Sequence, residues 1–168
     1  MSKYIHPLTK EVALHVASNL RPDDYREVTE GHGHNPAYAL LTGASRGYSG
    51  AWLTPDNKWG AAFGIGPENG IWMLCTPEIH KHPMSFARKC KRFIDSRQEK
   101  LLWNIVDKRN TAHLKLLRFL GFKFLREVTY GPNNLTFIEF CRVRSSDTWS
   151  DDSSGRSGIS LRRAEIRC

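Results

Sequence analysis

LLWNIVDKRNTAHLKLLRFLGF, residues 101–122, is the stretch whose order of residue types decides the fold. Leu101 to Val106 is apolar except for Asn104, the composition of a strand covered on both faces. Asn110 stands where a side chain caps a helix N-terminus. Leu114, Leu117 and Leu120 follow at helical spacing as a buried stripe. Gly121 suits the left-handed residue that ends a helix, and Phe122 opens the next strand. A strand, a capped short helix, a glycine stop and a second strand form one unit of an α/β domain.

Working outward, FKFLREVTY and LTFIEFCRV read as the last two strands, joined by the turn GPNN. On the N-terminal side, the spacing predicts a helix from Met84 to Arg97, with Met84, Ala87, Cys90 and Ile94 on one face, widened by Phe86 and Phe93. Before it lie three strands: Ser49 to Leu53, Trp59 to Ile65 and IWMLCT. The first two flank the turn TPDNK. The chain opens with a short strand from Tyr4 to Pro7. A helix capped by Thr9 runs to about Leu20, and Pro22 opens a second helix, PDDYREVTEG. There Asp23 and Asp24 suit the positive end of the macrodipole. A third helical piece starts at His34-Asn35-Pro36.

The 168 residues amount to one domain, and 40% hydrophobic content with five Trp and eight Phe is enough for a core. The formal net charge is +8, which favours nucleic acid, a phosphorylated cofactor or an acidic protein surface as partner. Residues 1–143 hold 20 of the 25 Lys+Arg and 13 of the 17 Asp+Glu, so the basicity belongs to the expected domain, 1–143. Residues 144–168 are rich in Ser, Asp and Arg and read as a disordered tail. Cys75, Cys90, Cys141 and Cys168 form no CxxC pair, and His32, His34, His80 and His82 lack a confirming carboxylate or Cys, so no metal is expected. Neither an apolar signal core in MSKYIHPLTK nor a membrane-length apolar run is present, which predicts a soluble chain that no standard signal secretes.

This order of elements resembles the GNAT acyltransferase fold, most clearly in Trp103-Asn104-Ile105-Val106 through Asn110 to Gly121-Phe122. The resemblance implies an α/β (α+β) domain with a central mixed sheet of six to seven strands and helices on both faces. More narrowly, RPDDYREV, AAFGIGPENGIWMLCTPEIHKHPMSFAR and LWNIVDKRNTAHLKLLRFLGF are similar to GNAT-like internal virion or virion-assembly proteins of short-tailed bacteriophages.

Acetyl transfer in the family implies a glycine-rich diphosphate loop before the central helix and a proton donor for the departing thiolate. In this chain the loop falls on His80-Lys81-His82-Pro83-Met84-Ser85. Pro83 occupies the first glycine's place and has no N–H. The donor, commonly a Tyr seven residues after Asn110, is Leu117. If acetyl-CoA binds, the resemblance implies contacts from Leu74, Cys75, Thr76, His80, Lys81, Ser85 and Asn110. Glu78 is the candidate for deprotonating an amine.

Two functions follow. One is a virion or assembly protein that uses the fold as a scaffold, without acetyl transfer or cofactor. It would bind other phage proteins through helix 84–97 and the tail, with nonspecific nucleic-acid contact as a further partner, in the virion or the host cytoplasm. The other is an active N-acetyltransferase moving an acetyl group from acetyl-CoA to an amine.

Overall fold

A computed structural model of the chain describes residues 3–144. Of the expected tail 144–168, residues 145–168 lie outside the described residues. The elements in chain order are β1 (Ile5–Pro7), α1 (Lys10–Ser18), α2 (Pro22–Arg26), a π-helical turn (Glu27–Gly31), α3 (Pro36–Ser45), β2 (Tyr48–Leu53), β3 (Trp59–Ile65) and β4 (Ile71–Cys75). A 3-10 turn (Pro77–Lys81), α4 (Pro83–Ser96), β5 (Leu101–Asp107), α5 (Thr111–Phe119), β6 (Lys123–Tyr130) and β7 (Leu135–Val143) complete them.

The seven strands form two antiparallel sheets, β1-β2-β3-β4 and β5-β7-β6. A single parallel bridge, Gly70 to Trp103, joins β4 to β5. The parallel part of the expected mixed sheet is reduced to this bridge, because the two strands diverge beyond it.

Alternation along each strand decides which helices cover which face. Ala51, Ala62, Trp72 and Leu74 pack with Val12 and Val16 of α1 and Leu40 of α3. The alternate residues Trp52, Ala61, Phe63, Met73 and Cys75 pack with Phe86, Cys90 and Phe93 of α4. On the second sheet, Leu102, Val106 and Phe140 meet Ile94, Leu117 and Leu120. Met84 departs from the expected apolar stripe: it is 58% exposed, and the inner face of α4 runs through Phe86, Cys90, Phe93 and Ile94. No described helix is long and apolar enough to cross a membrane.

Thr9 caps α1, its hydroxyl accepting from the Val12 N–H at 3.3 Å, and the Asn35 side chain caps α3. Gly121, at φ +88°, ends α5 as expected. Gly131 has φ +77°, and a β-carbon there would collide with the Gly31 carbonyl of the π-helical turn. Both the backbone region and the space exclude a side chain. Gly131→Ala is therefore expected to cost about 1–3 kcal/mol, read as a lowered urea midpoint. A loss under about 0.5 kcal/mol, within the range of ordinary surface changes, would contradict this packing of the β6–β7 turn.

Candidate functional site between the diverging strands

The ladder between β3 and β4 determines what β4 offers to its open side. Gly66 N–H donates to the Gly70 carbonyl at 3.0 Å and Thr76 N–H to the Gly60 carbonyl at 2.9 Å. Gly70, Trp72, Leu74 and Thr76 are thereby committed to β3, while Ile71, Met73 and Cys75 turn their backbone groups toward β5. The Ile71 carbonyl accepts from Asn104 Nδ2 at 2.8 Å, a side chain reaching across from β5. The Cys75 N–H donates to Asp24 Oδ2 at 2.8 Å, and its carbonyl accepts from the Arg21 N–H at 2.9 Å. Met73 remains as the β4 residue whose N–H and C=O face the gap. Leu74 and Thr76, expected to meet a cofactor arm by backbone pairing, turn those groups to β3, and both of Cys75's are engaged by Arg21 and Asp24.

Through this gap runs a cavity of about 580 Å³. Its walls are largely apolar: Trp72, Met73 and Leu74 on β4, Ile105 and Val106 on β5, and side chains of α4 and α5. Glu27, His32, His34 and His113 supply polar groups to the lining. Leu117, only 6% exposed, belongs to both the cavity wall and the core, so it serves packing in the place where the family resemblance expects an acid.

Asn110 is 1% exposed and makes no side-chain cap to α5, contrary to the capping role its position suggests. Its side chain instead links three residues. Oδ1 accepts from Arg21 Nη2, and Nδ2 donates to Asp24 Oδ1 and Glu27 Oε2, each at 2.9 Å. Arg21 also binds Asp24 through Nε and Nη2, both at 3.0 Å. The network thus ties the end of β4 to the loop after β5 and bounds the cleft opposite Asn104. Burying these groups is tolerable because each polar atom described has a partner.

Within that network Glu27 is the unusual group. Burial pushes its carboxyl up to about 8; the bond from Asn110 works against this, and the charges of Asp24 and Asp107 add to it. Asp107 itself stays below the usual carboxylate range: burial opposes ionisation, but hydrogen bonds from the Arg109 side chain and N–H outweigh it. Burial lowers His113, with Asp24 counteracting and Arg21 assisting, and it brings His32 down to about 4 with help from His34. Glu27 lies at the head of the π-helical turn, an irregularity often found at functional sites. Asp24, Glu27 and His113 are close enough to converge on a cation, yet a metal there would have to displace Arg21 from Asp24.

The other expected site residues lie apart. Glu78 pairs with Lys81 Nζ at 3.0 Å on the 3-10 turn and is not among the cavity's lining residues. His82 Nε2 and Asp56 Oδ1 are 2.9 Å apart. Thr76 Oγ1 accepts from the Glu78 N–H at 3.3 Å, and Ser85 lies in the first turn of α4. Cys75 and Cys90 are free thiols whose ionisation burial suppresses, Cys90 to about 12. Arg21, Asp24, Glu27 and His113 have no place in the sequence-based site. The available signal was the spacing of Arg21, Asp24 and Glu27: charges three residues apart fall on one helical face, where Val28 also lies.

Comparison with solved structures returns GNAT acetyltransferases. The ribosomal-protein-S18-alanine N-acetyltransferase of Escherichia coli is 14% identical, covers 87% of this chain and 96% of its own, and gives a TM-score of 0.62. A GNAT-family acetyltransferase of Bacillus anthracis is 8% identical, with 83% and 93% covered and a TM-score of 0.60. Spermidine N-acetyltransferase of Vibrio cholerae, solved with CoA and spermine, is 9% identical, with 84% and 95% covered and a TM-score of 0.59. No family model and no curated protein matches the chain. At these identities the likeness establishes the fold: the chain has the GNAT fold.

Proposed function

We propose that the protein is a GNAT-type N-acyltransferase, moving an acyl group from a thioester held between β4 and β5 to an amine. The observation that carries this reading is the apolar cavity through the strand gap with the buried Glu27 carboxyl, pushed up to about 8 by burial, in its wall. Met73's backbone groups suit the amides of an extended arm, and the apolar walls keep water from the thioester. Glu27 accepts the proton that the amine loses. The bond from acyl carbon to sulfur breaks as the bond to nitrogen forms, and the proton ends on the departing sulfur. A group with a pKa near the working pH is suited to both halves of that transfer.

The test is direct. Purified protein is incubated with acetyl thioesters and a panel of amines: a polyamine, a lysine peptide and a peptide with N-terminal alanine. Free thiol and acylated product are then measured together. Thiol release that depends on the amine is expected; no release with any donor and any amine in the panel would sink the proposal.

A second reading is favoured by Leu117 and Pro83, which occupy positions where the chemistry expects an acid and a glycine. On this reading the fold is a scaffold in a short-tailed phage particle or its assembly, with helix 84–97 or the tail binding other phage proteins. Mass spectrometry of purified particles bears on it directly. Amine-dependent turnover would remove the reason for supposing an inactive scaffold.

A further inference from the structure

The turn entering α4 does not fit the nucleotide end of CoA. A diphosphate cradle needs several consecutive N–H groups directed at one point. Between Pro77 and Pro83 those donors are scarce. Both prolines lack an N–H. The Glu78 N–H binds Thr76 Oγ1, the Ile79 N–H binds the Thr76 carbonyl, and the His82 N–H binds the Ile79 carbonyl. The His80 and Lys81 N–H groups lie within the 3-10 turn Pro77–Lys81, whose i to i+3 bonds occupy them. On α4 the Phe86 N–H already binds the His82 carbonyl, which leaves the first-turn donors of Met84 and Ser85. Two carboxylates also border the turn: Glu78 is paired with Lys81, and Asp56 lies against His82. Lys81 and His82 are therefore engaged locally, and the nucleotide's several negative charges would meet acidic groups.

The cleft for the arm, in contrast, is built, and α4 flanks it with an uninterrupted basic run. From Pro83 to Ile94 the helix contains Arg88, Lys89, Lys91 and Arg92 and no acidic residue. Arg88 and Arg92 are exposed one turn apart, and the exposed Met84 stands at the helix entrance. Lys91 is neutralised by Asp95, and Lys89 lies over the Tyr4 ring. Lys115 of α5 is exposed, and α4 and α5 line the same cavity.

We propose that the acyl donor is a thioester on the pantetheine arm of an acidic carrier protein, with the arm between β4 and β5 and the carrier docked on α4. This rests on the acyltransfer reading above. The arm's single phosphate asks for far less than a nucleotide does, and the Met84 and Ser85 N–H groups suit it. The carrier's acidic surface answers Arg88 and Arg92, and a partner's apolar side chain covers Met84. The chemical step is unchanged: the thioester's carbon–sulfur bond breaks, the amide bond forms, the amine's proton passes to sulfur, and the carrier leaves with a free thiol.

The experiment compares three donors on the same amine: acetyl-CoA, acetyl-pantetheine and an acetylated acidic carrier protein with its pantetheine arm. The carrier is expected to exceed acetyl-CoA in kcat/KM by at least about tenfold, an advantage that shrinks with added salt. The double substitution Arg88→Glu and Arg92→Glu is expected to lower the carrier's kcat/KM by about tenfold or more relative to acetyl-pantetheine. Equal losses with both donors would overturn docking on α4. If acetyl-CoA matches or exceeds the carrier, the donor assignment is wrong and the acyltransfer reading stands. If all three donors fail on every amine in the panel, the acyltransfer reading falls, and this inference with it.

Discussion

Glu27→Gln is expected to reduce amine acylation by about 100-fold, the lower end of what a positioned proton acceptor contributes. Glutamine keeps the size of the side chain and a carbonyl oxygen to accept from Asn110 Nδ2, so the loss reports the missing proton transfer. In the native protein kcat/KM should rise with pH to a midpoint near 8, where Glu27 ionises; in the variant that limb should disappear. His113 and Asp24 lie within 4.8 Å of the same carboxyl and Asp107 acts on it by charge, so His113→Asn serves as a control for the assignment of the limb. A variant with full activity and an unchanged pH profile would remove Glu27 from the chemistry.

The same substitution has a stability signature. Glu27 titrates near 4.5 when unfolded and near 8 when folded, so between those values the folded state binds more protons. Its contribution to stability is therefore full below about pH 4.5 and is lost as pH rises through 8. Relative to Glu27→Gln, the native protein should lose stability across that window. His32 acts in the opposite direction: its folded value near 4 lies below the ordinary 6.5, so its contribution is full above 6.5 and is lost as pH falls toward 4. Urea unfolding of both proteins at pH 5, 7 and 9 separates the terms, since His32 is common to both. Parallel curves would mean that Glu27 is solvated.

Arg21→Met should have the largest effect on folding, a loss of about 3–5 kcal/mol, because it leaves the Asp24 carboxylate buried without its cation. Asp24 is fully buried, and Arg21 supplies two of its hydrogen bonds. Adding Asp24→Leu should recover much of the loss, since a buried pair replaced on both sides by apolar groups is often close to neutral. Chemical denaturation measures both. A single-variant loss under about 1 kcal/mol, the size of an exposed ion pair, would mean that water reaches Asp24. No rescue in the double variant would mean that the cleft needs the Asp24 bond to the Cys75 N–H.

Much of the architecture was legible because periodicity is a local property. The leucine stripe at 114, 117 and 120, the Gly121 stop, the Thr9 cap and the alternating strands all appear where their spacing indicates. The expected basic surface is only partly realised. Lys91, Arg97, Lys108 and Arg109 each pair with a nearby carboxylate, whereas Arg88 and Arg92 are exposed. Which cations neutralise which acids depends on how elements meet, and no spacing rule contains that. The same holds for Met84: its helical phase suited the inner face, but it is exposed, and the face that meets the sheet begins at Phe86.

By itself the sequence determined the type and order of the elements, because helical and strand periods are written in neighbouring residues. It also determined that Pro83 cannot donate and that Leu117 cannot move a proton. Only the tertiary structure decided that β4 and β5 part after one bridge and that Asn104 and Asn110 bound the gap. It alone turned Asn110 from a cap into the centre of a buried network and put Glu27 in a cavity wall. The reason is physical. The chemistry of the Glu27 carboxyl is set by burial, by the charges of Asp24 on α2 and Asp107 on β5, and by the bond from Asn110, 83 residues away in the chain.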